Sequence, residues 1–107
     1  TYGGERLIDS TTIDLFTQTQ LPLDQNRRGL GFDKPETLPN KSGPTCKEAP
    51  CTSYGHTGFT GTALWIDPDN QLVFVFLCNR TYPTRMNKVL NTERIRPALL
   101  EAVYQAL

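Results

Sequence analysis

Six consecutive apolar residues, Leu72-Val73-Phe74-Val75-Phe76-Leu77, constrain this chain more than any other feature. Rich in β-branched and aromatic side chains, the run reads as a strand that is apolar on both faces. Such a strand needs cover on both sides, so it belongs in the middle of a layered structure. Phe59 to Ile66 has a similar character. Between the two lies Asp67-Pro68-Asp69-Asn70, with Pro after Asp as a type I turn prefers. Residues 59–66 and 72–78 are therefore predicted to form a β-hairpin.

What could cover that hairpin is limited. Ile95, Leu99, Val103 and Leu107 recur every four residues with Leu100 and Tyr104 beside them, which predicts a closing helix with Asn91 or Thr92 as its cap. Pro97 falls early in this helix and marks either a kink or a true start one turn later. Near the other end, Asp9-Ser10-Thr11-Thr12 offers capping side chains for a short helix through Ile13, Leu15 and Phe16. It should stop near Gln18, because Leu21-Pro22-Leu23 reads as extended. Arg28-Gly29-Leu30-Gly31-Phe32 is predicted to be a brief strand whose glycines allow close backbone approach. From Lys34 to about Thr52, four prolines and no periodicity define a long loop. One helix can cover one face of the hairpin, and the short helix is too small for the other. The apolar surface is under-covered, which implies missing partner segments.

With 107 residues and 12.0 kDa the chain is one domain at most. Lys plus Arg and Asp plus Glu number 11 each, so no global field favours nucleic acid or an anionic membrane. No apolar run approaches the roughly 20 residues of a spanning helix. The abrupt start at Thr1-Tyr2-Gly3-Gly4, without Met or signal peptide, is read as the edge of an excised fragment. Cys46 and Cys51 sit in a polar, proline-containing stretch where a small disulfide could form in an oxidising compartment, or two unpaired loop thiols could remain. Cys78, inside an apolar run, is expected to be a small buried hydrophobe. Asn40-Lys41-Ser42 and Asn79-Arg80-Thr81 match the glycosylation acceptor pattern and are read as chance.

Ser53-Tyr54-Gly55-His56-Thr57-Gly58-Phe59-Thr60-Gly61-Thr62 is the unusual passage. Three glycines weaken a strand, so something must approach its backbone closely. His56 is the only histidine. A strand of this kind can dock an extended substrate along its edge, and can aim an N–H at a developing oxyanion. Equally, Gly55, Gly58 and Gly61 could simply relieve crowding against a neighbouring helix, with His56 an ordinary surface residue.

The run from Tyr54 to Arg80 closely resembles the strand pair of the serine β-lactamase-like family, which includes class C β-lactamases, penicillin-binding-protein-like carboxypeptidases and esterases. There a Lys-Thr-Gly or His-Thr-Gly triplet lines the active site and the following strand often ends in Asn-Arg, as Asn79-Arg80 does here. Gly4 to Phe16, Gly29 to Phe32 and Asn91 to Leu107 resemble the flanking elements, so the resemblance covers essentially the whole chain. It implies an α+β fold class and places residues 1–107 in the C-terminal part of a single β-lactamase-like domain. Its implied site has His56 and the backbone N–H of Phe59 in catalytic roles, and Thr57, Gly58 and Thr60 binding substrate. Asn79 and Arg80 are expected to be structural. The resemblance implies no metal and no cofactor, a small-molecule or peptide substrate, the remainder of the domain as partner, and a periplasmic or extracellular location that would suit a Cys46–Cys51 disulfide.

The departures carry weight. The family's nucleophile is the serine of Ser-x-x-Lys, yet the residues three after Ser10, Ser42 and Ser53 are Ile13, Thr45 and His56. No Tyr-x-Asn is present either. Without nucleophile and base only binding and electrostatic contributions remain, so the chain alone is expected to be inactive. Two further readings stand beside this one. Cys46, Cys51, His56 and Cys78 could staple a small zinc module. Alternatively, the glycine-rich strand could present itself to a peptide or glycan in a non-enzymatic binding module.

Overall fold

The computed structural model describes all residues, 1–107. In chain order its elements are α1 (Ser10–Thr17), β1 (Tyr54–Thr57), β2 (Ala63–Asp67), β3 (Leu72–Phe76), α2 (Val89–Thr92) and α3 (Ile95–Ala106). The strands form one antiparallel meander in the order β1-β2-β3. Helices and sheet occupy separate stretches of chain, an α+β arrangement. No helix is long and apolar enough to cross a membrane.

The expected hairpin arm at 59–66 is corrected. Only Ala63–Asp67 is strand, while Phe59–Thr62 is a turn closed by Gly58 N–H to the Thr62 carbonyl (2.8 Å) and Gly61 N–H to the Gly58 carbonyl (3.0 Å). Gly61 has φ +110°, a backbone state favouring glycine and incompatible with a continuous strand. The residues before this turn become a third strand, with His56 opposite Leu64 and Thr57 opposite Ala63. The second arm ends at Phe76 rather than Cys78.

Residues 28–32 are not a strand either. Gly29 N–H bonds the Phe32 carbonyl (3.1 Å) and Gly31 has φ +85°, so the chain curls there. Pairing is confined to one antiparallel bridge, Asp33 with Gly55. Close approach at Gly29 does occur: a Cβ there would collide with the Phe16 and Gln18 carbonyl oxygens at the end of α1.

At the C-terminus neither Asn91 nor Thr92 caps α3, since both belong to α2. The chain reverses at Arg94, whose φ of 49° is left-handed, and α3 begins at Ile95. Pro97 is then the third helical residue. A first-turn N–H has no intrahelical acceptor in any case, so proline fits without a kink.

Trp65, Cys46, Ala49 and Leu100 form the core, with Leu72, Phe74 and Tyr104 packed against it. Trp65 donates its indole N–H to Ser53 Oγ (3.0 Å), and Ser53 in turn donates to the Pro50 carbonyl (2.7 Å). Leu99 and Leu107 are exposed, so the apolar stripe of α3 is wider than the face it buries. On the other side of the sheet Leu64, Val73, Val75 and Leu77 are open to solvent, and Ile13, Leu15 and Phe16 of α1 are exposed as well. The both-face apolarity of β3 thus meets cover on one side only.

Candidate functional site

β1 is short, and its outer edge is only partly occupied. Gly55 uses its N–H and C=O on Asp33, at 3.0 and 2.7 Å. In an antiparallel ladder such groups alternate between the two sides of a strand. Tyr54, His56 and Gly58 therefore face β2, while Thr57 turns its N–H and C=O outward beyond the last Asp33 contact. Phe59 follows in the turn, its N–H with no acceptor in the chain. An extended ligand lying along this edge would meet backbone donors and acceptors in register.

Arg80 holds the turn that presents Phe59. Its guanidinium Nε donates to the Phe59 carbonyl (2.8 Å) and its backbone N–H donates to the Thr60 carbonyl (2.8 Å). The guanidinium carbon lies 4.6 Å from the centre of the Phe59 ring, a cation–π contact. Nη1 reaches the carbonyls of Asn87 (3.0 Å) and Arg85 (3.3 Å), tying the turn to the segment before α2. Cys78 Sγ makes a long contact to the Thr60 carbonyl (3.8 Å) and is half-buried rather than part of the core. The Thr60 side chain is exposed.

His56 lies on the sheet face opposite that of Gly55 and Thr57, as strand alternation requires. Its Nε2 is 3.2 Å from Arg28 Nη1. Arg28 Nη2 also contacts Asp33 Oδ2 at 3.3 Å. Asp33 is buried and accepts Arg27 Nη2 on Oδ2 (3.0 Å) and the Lys34 backbone N–H on Oδ1 (2.9 Å). Its Oδ1 also lies in ion-pair contact 2.9 Å from Arg27 Nε, whose N–H donates to the Lys34 carbonyl (2.9 Å). Buried charge is retained here because both carboxylate oxygens are paired. Neighbouring Lys34 is buried too and donates to the Thr52 carbonyl (3.2 Å). Desolvation pulls its ammonium below the usual lysine range, partly offset by the nearby Cys51.

On Thr57's own face a cleft of about 330 Å³ is lined by Thr57 and Asp33 with Arg27, Arg94 and Arg96. Arg96 donates to the Gly61 carbonyl (3.2 Å) and Asn91 Oδ1 (2.9 Å), and burial lowers its pKa. A larger cleft, about 920 Å³, lies between α1 and the segments around Leu21, Pro35 and Cys51. It includes Tyr54 but none of His56, Thr57, Gly58, Phe59 and Thr60, so its size does not make it the site.

Each sequence-predicted residue can now be placed. His56, Thr57, Gly58, Phe59 and Thr60 lie on one strand-and-turn, but His56 and Thr57 face opposite ways. All three glycines also meet crowding. A Cβ on Gly55 would strike the Leu64 carbonyl and the Trp65 ring, one on Gly58 would strike Thr62 Oγ1, and one on Gly61 would strike Cys78 Sγ and Leu90. The Cys46–Cys51 disulfide is not formed: all three cysteines are free, Cys46 in the core and Cys51 exposed. Burial pushes the pKa of the Cys46 thiol upward. No three His, Cys, Asp or Glu side chains converge, which removes the geometric basis of the zinc alternative. Ser53 is fully buried and engaged with Trp65 and Pro50, unlike a nucleophile. Sequence reasoning missed Arg28 and Asp33, which reach β1 across more than 20 residues with no spacing to announce them, and it gave Arg80 no partner.

The Beta-lactamase family model matches residues 9–98. The chain belongs to the β-lactamase family. It is similar to proteins from Salmonella typhi and Salmonella newport (strain SL254), each named "Putative D-alanyl-D-alanine carboxypeptidase" and 35% identical over 101 residues. Those 101 residues are 94% of this chain and 23% of each relative, so the chain spans about a quarter of the length of the curated relatives it matches. No solved structure matches it.

Proposed function

We propose that these residues serve a serine hydrolase that attacks an amide, ester or lactam carbonyl and passes through an acyl-enzyme. The observation that carries this is the Phe59 N–H, free of any internal acceptor and held on a turn clamped by Arg80. A preorganised backbone donor of that kind suits an oxyanion hole, since it needs no reorganisation as charge develops. Thr57 and Gly58 would line the acyl substrate along the β1 edge, with Thr60 beside them and His56 orienting the hydroxyl and proton network.

The nucleophile and its base come from the remainder of the same domain, and that remainder covers Leu64, Val73, Val75 and Leu77. The chain by itself is inactive on this reading. Membership of the family and the names of its relatives favour a peptide or small-molecule carbonyl substrate, and a periplasmic or cell-surface setting. In the complete protein, His56→Ala should lower turnover of a chromogenic ester or cephalosporin at least about tenfold, less than the roughly hundredfold or more of a direct proton-transfer group because His56 orients the network. Unchanged turnover would sink the role given to His56. If the 107-residue chain alone hydrolysed either substrate, the division of labour would be wrong.

A further inference from the structure

We infer that Arg28 is a positioning residue that fixes the tautomer of His56, leaving the ring with its proton on Nδ1 and its Nε2 lone pair occupied. A guanidinium carries only N–H donors and has no acceptor. Its 3.2 Å contact with His56 Nε2 is therefore a hydrogen bond only if Nε2 offers a lone pair, which places the single ring proton on Nδ1.

Arg28 is itself held in place. Nη2 contacts Asp33 Oδ2 (3.3 Å), and Asp33 is anchored by its bridge to Gly55, the residue next to His56. The carboxylate, the guanidinium and the imidazole thus form a short chain folded back on the strand that carries the histidine. Phe32 packs edge-on against Tyr54 with ring centres 5.1 Å apart, fixing the same segment one position further along β1.

Two consequences follow for the site. Through Nε2 the ring is neither a base nor a donor. Its available polar atom is the Nδ1–H. The positive charge beside β1 belongs to Arg28, whose side chain remains 44% exposed, and not to His56. A lysine–threonine–glycine relative would carry that charge on the triplet itself; here it arrives from a distant loop. The tautomer stands on the geometry alone, whereas its meaning for catalysis rests on the hydrolase reading above.

The test is nuclear magnetic resonance of 15N-histidine-labelled protein, with the ring assigned by loss of its signals in His56→Gln. At neutral pH, long-range proton–nitrogen correlations should show a protonated Nδ1 and a bare, hydrogen-bonded Nε2. Arg28→Met should abolish this pattern and release the ring to a mixture of tautomers. Arg27 still pairs Asp33 through two nitrogens, so the variant leaves no buried carboxylate unpartnered. A proton on Nε2 of the unmodified protein, or on both nitrogens, would overturn the inference. So would unaltered ring signals in a folded Arg28→Met variant. Should that variant fail to fold, the unmodified protein decides alone. No turnover enters the readout, so loss of the hydrolase reading and loss of this inference are separate results.

Discussion

Tyr104 and Asp67, 37 residues apart in sequence, share a 2.6 Å hydrogen bond that ties α3 to the turn between β2 and β3. Asp67 is buried and also accepts the backbone N–H of Asp69 (2.9 Å) and Asn70 (3.2 Å) and the side-chain amide of Asn70 (2.8 Å). One carboxylate thus closes the turn and docks the helix. Tyr104→Phe keeps the ring and removes the donor. It should destabilise the chain by about 1.5 kcal/mol, the low end for a bond to a charged group because three other donors remain. Urea unfolding should show a lower midpoint with an unchanged slope; an unmoved midpoint would mean the bond contributes nothing.

The same pair makes stability depend on pH at both ends. Burial by itself would raise the Asp67 carboxyl, but the bonds from Tyr104, Asn70 and Asp69 outweigh it and hold the group below its usual range. Its contribution is present above the unfolded value of about 3.9 and is lost as pH falls through the lower folded value. Tyr104 shifts upward, through burial first and then through Asp67. Its contribution is whole below about pH 10 and is lost as pH rises through the higher folded value. Tyr104→Phe should flatten the alkaline decline and move the acid decline to higher pH in thermal unfolding curves.

Gly55→Ala tests the crowding directly. The added methyl would strike the Leu64 carbonyl and the Trp65 ring, neither of which is a flexible side-chain end. Overpacking of this kind should cost about 2 kcal/mol. A neutral effect on the denaturation midpoint would show that β1 can draw away from β2.

Arg80→Ala should act on the turn rather than on the core. It removes the bonds to the Phe59, Asn87 and Arg85 carbonyls and the contact over the Phe59 ring, while its backbone bond to Thr60 survives. In the complete protein kcat should fall about tenfold or more with little change in KM if the Phe59 N–H is the proposed oxyanion donor, since such a donor acts only as the charge develops. Equal changes in both constants, or none, would show that Arg80 does not position this donor.

Val75→Lys probes the open side of the sheet. Val75 is 56% exposed beside Leu64, so in the isolated chain the charge should change stability by less than about 0.5 kcal/mol. It should also reduce self-association measured by sedimentation, since exposed apolar patches drive association. In the complete protein the same substitution should be strongly destabilising if that face is covered. Equal tolerance in both settings would mean the face is never buried.

Much of this was legible in local pattern. The unbroken apolar run of Leu72–Phe76, the Asp-Pro-Asp-Asn turn and the periodicity of 95–107 depend on neighbours in sequence, and β3, its turn and α3 lie where they predict. The shortfall in cover was also readable, because apolar area can be counted before it is placed. Errors arose where a glycine had two possible uses. Gly61 and Gly31 read as points of close backbone approach within strands, yet their positive φ places them in turns. The placement of Cys46 and Cys51 was unreadable for a related reason, since closeness in sequence says nothing about which thiol the core will claim.

The sequence by itself determined that residues 72–76 would be extended and residues 10–17 and 95–106 helical, that a His-Thr-Gly triplet would lie on a strand, and that the apolar surface would lack cover. Those properties follow from local sterics and composition. Only the tertiary structure decided what surrounds the triplet: that Arg28 and Asp33 reach His56, that Arg80 grips the Phe59 turn, and that His56 and Thr57 serve opposite faces. Contacts between distant residues are fixed by packing and by the pairing of buried charge. Neither leaves a period or a spacing in the chain to be read beforehand.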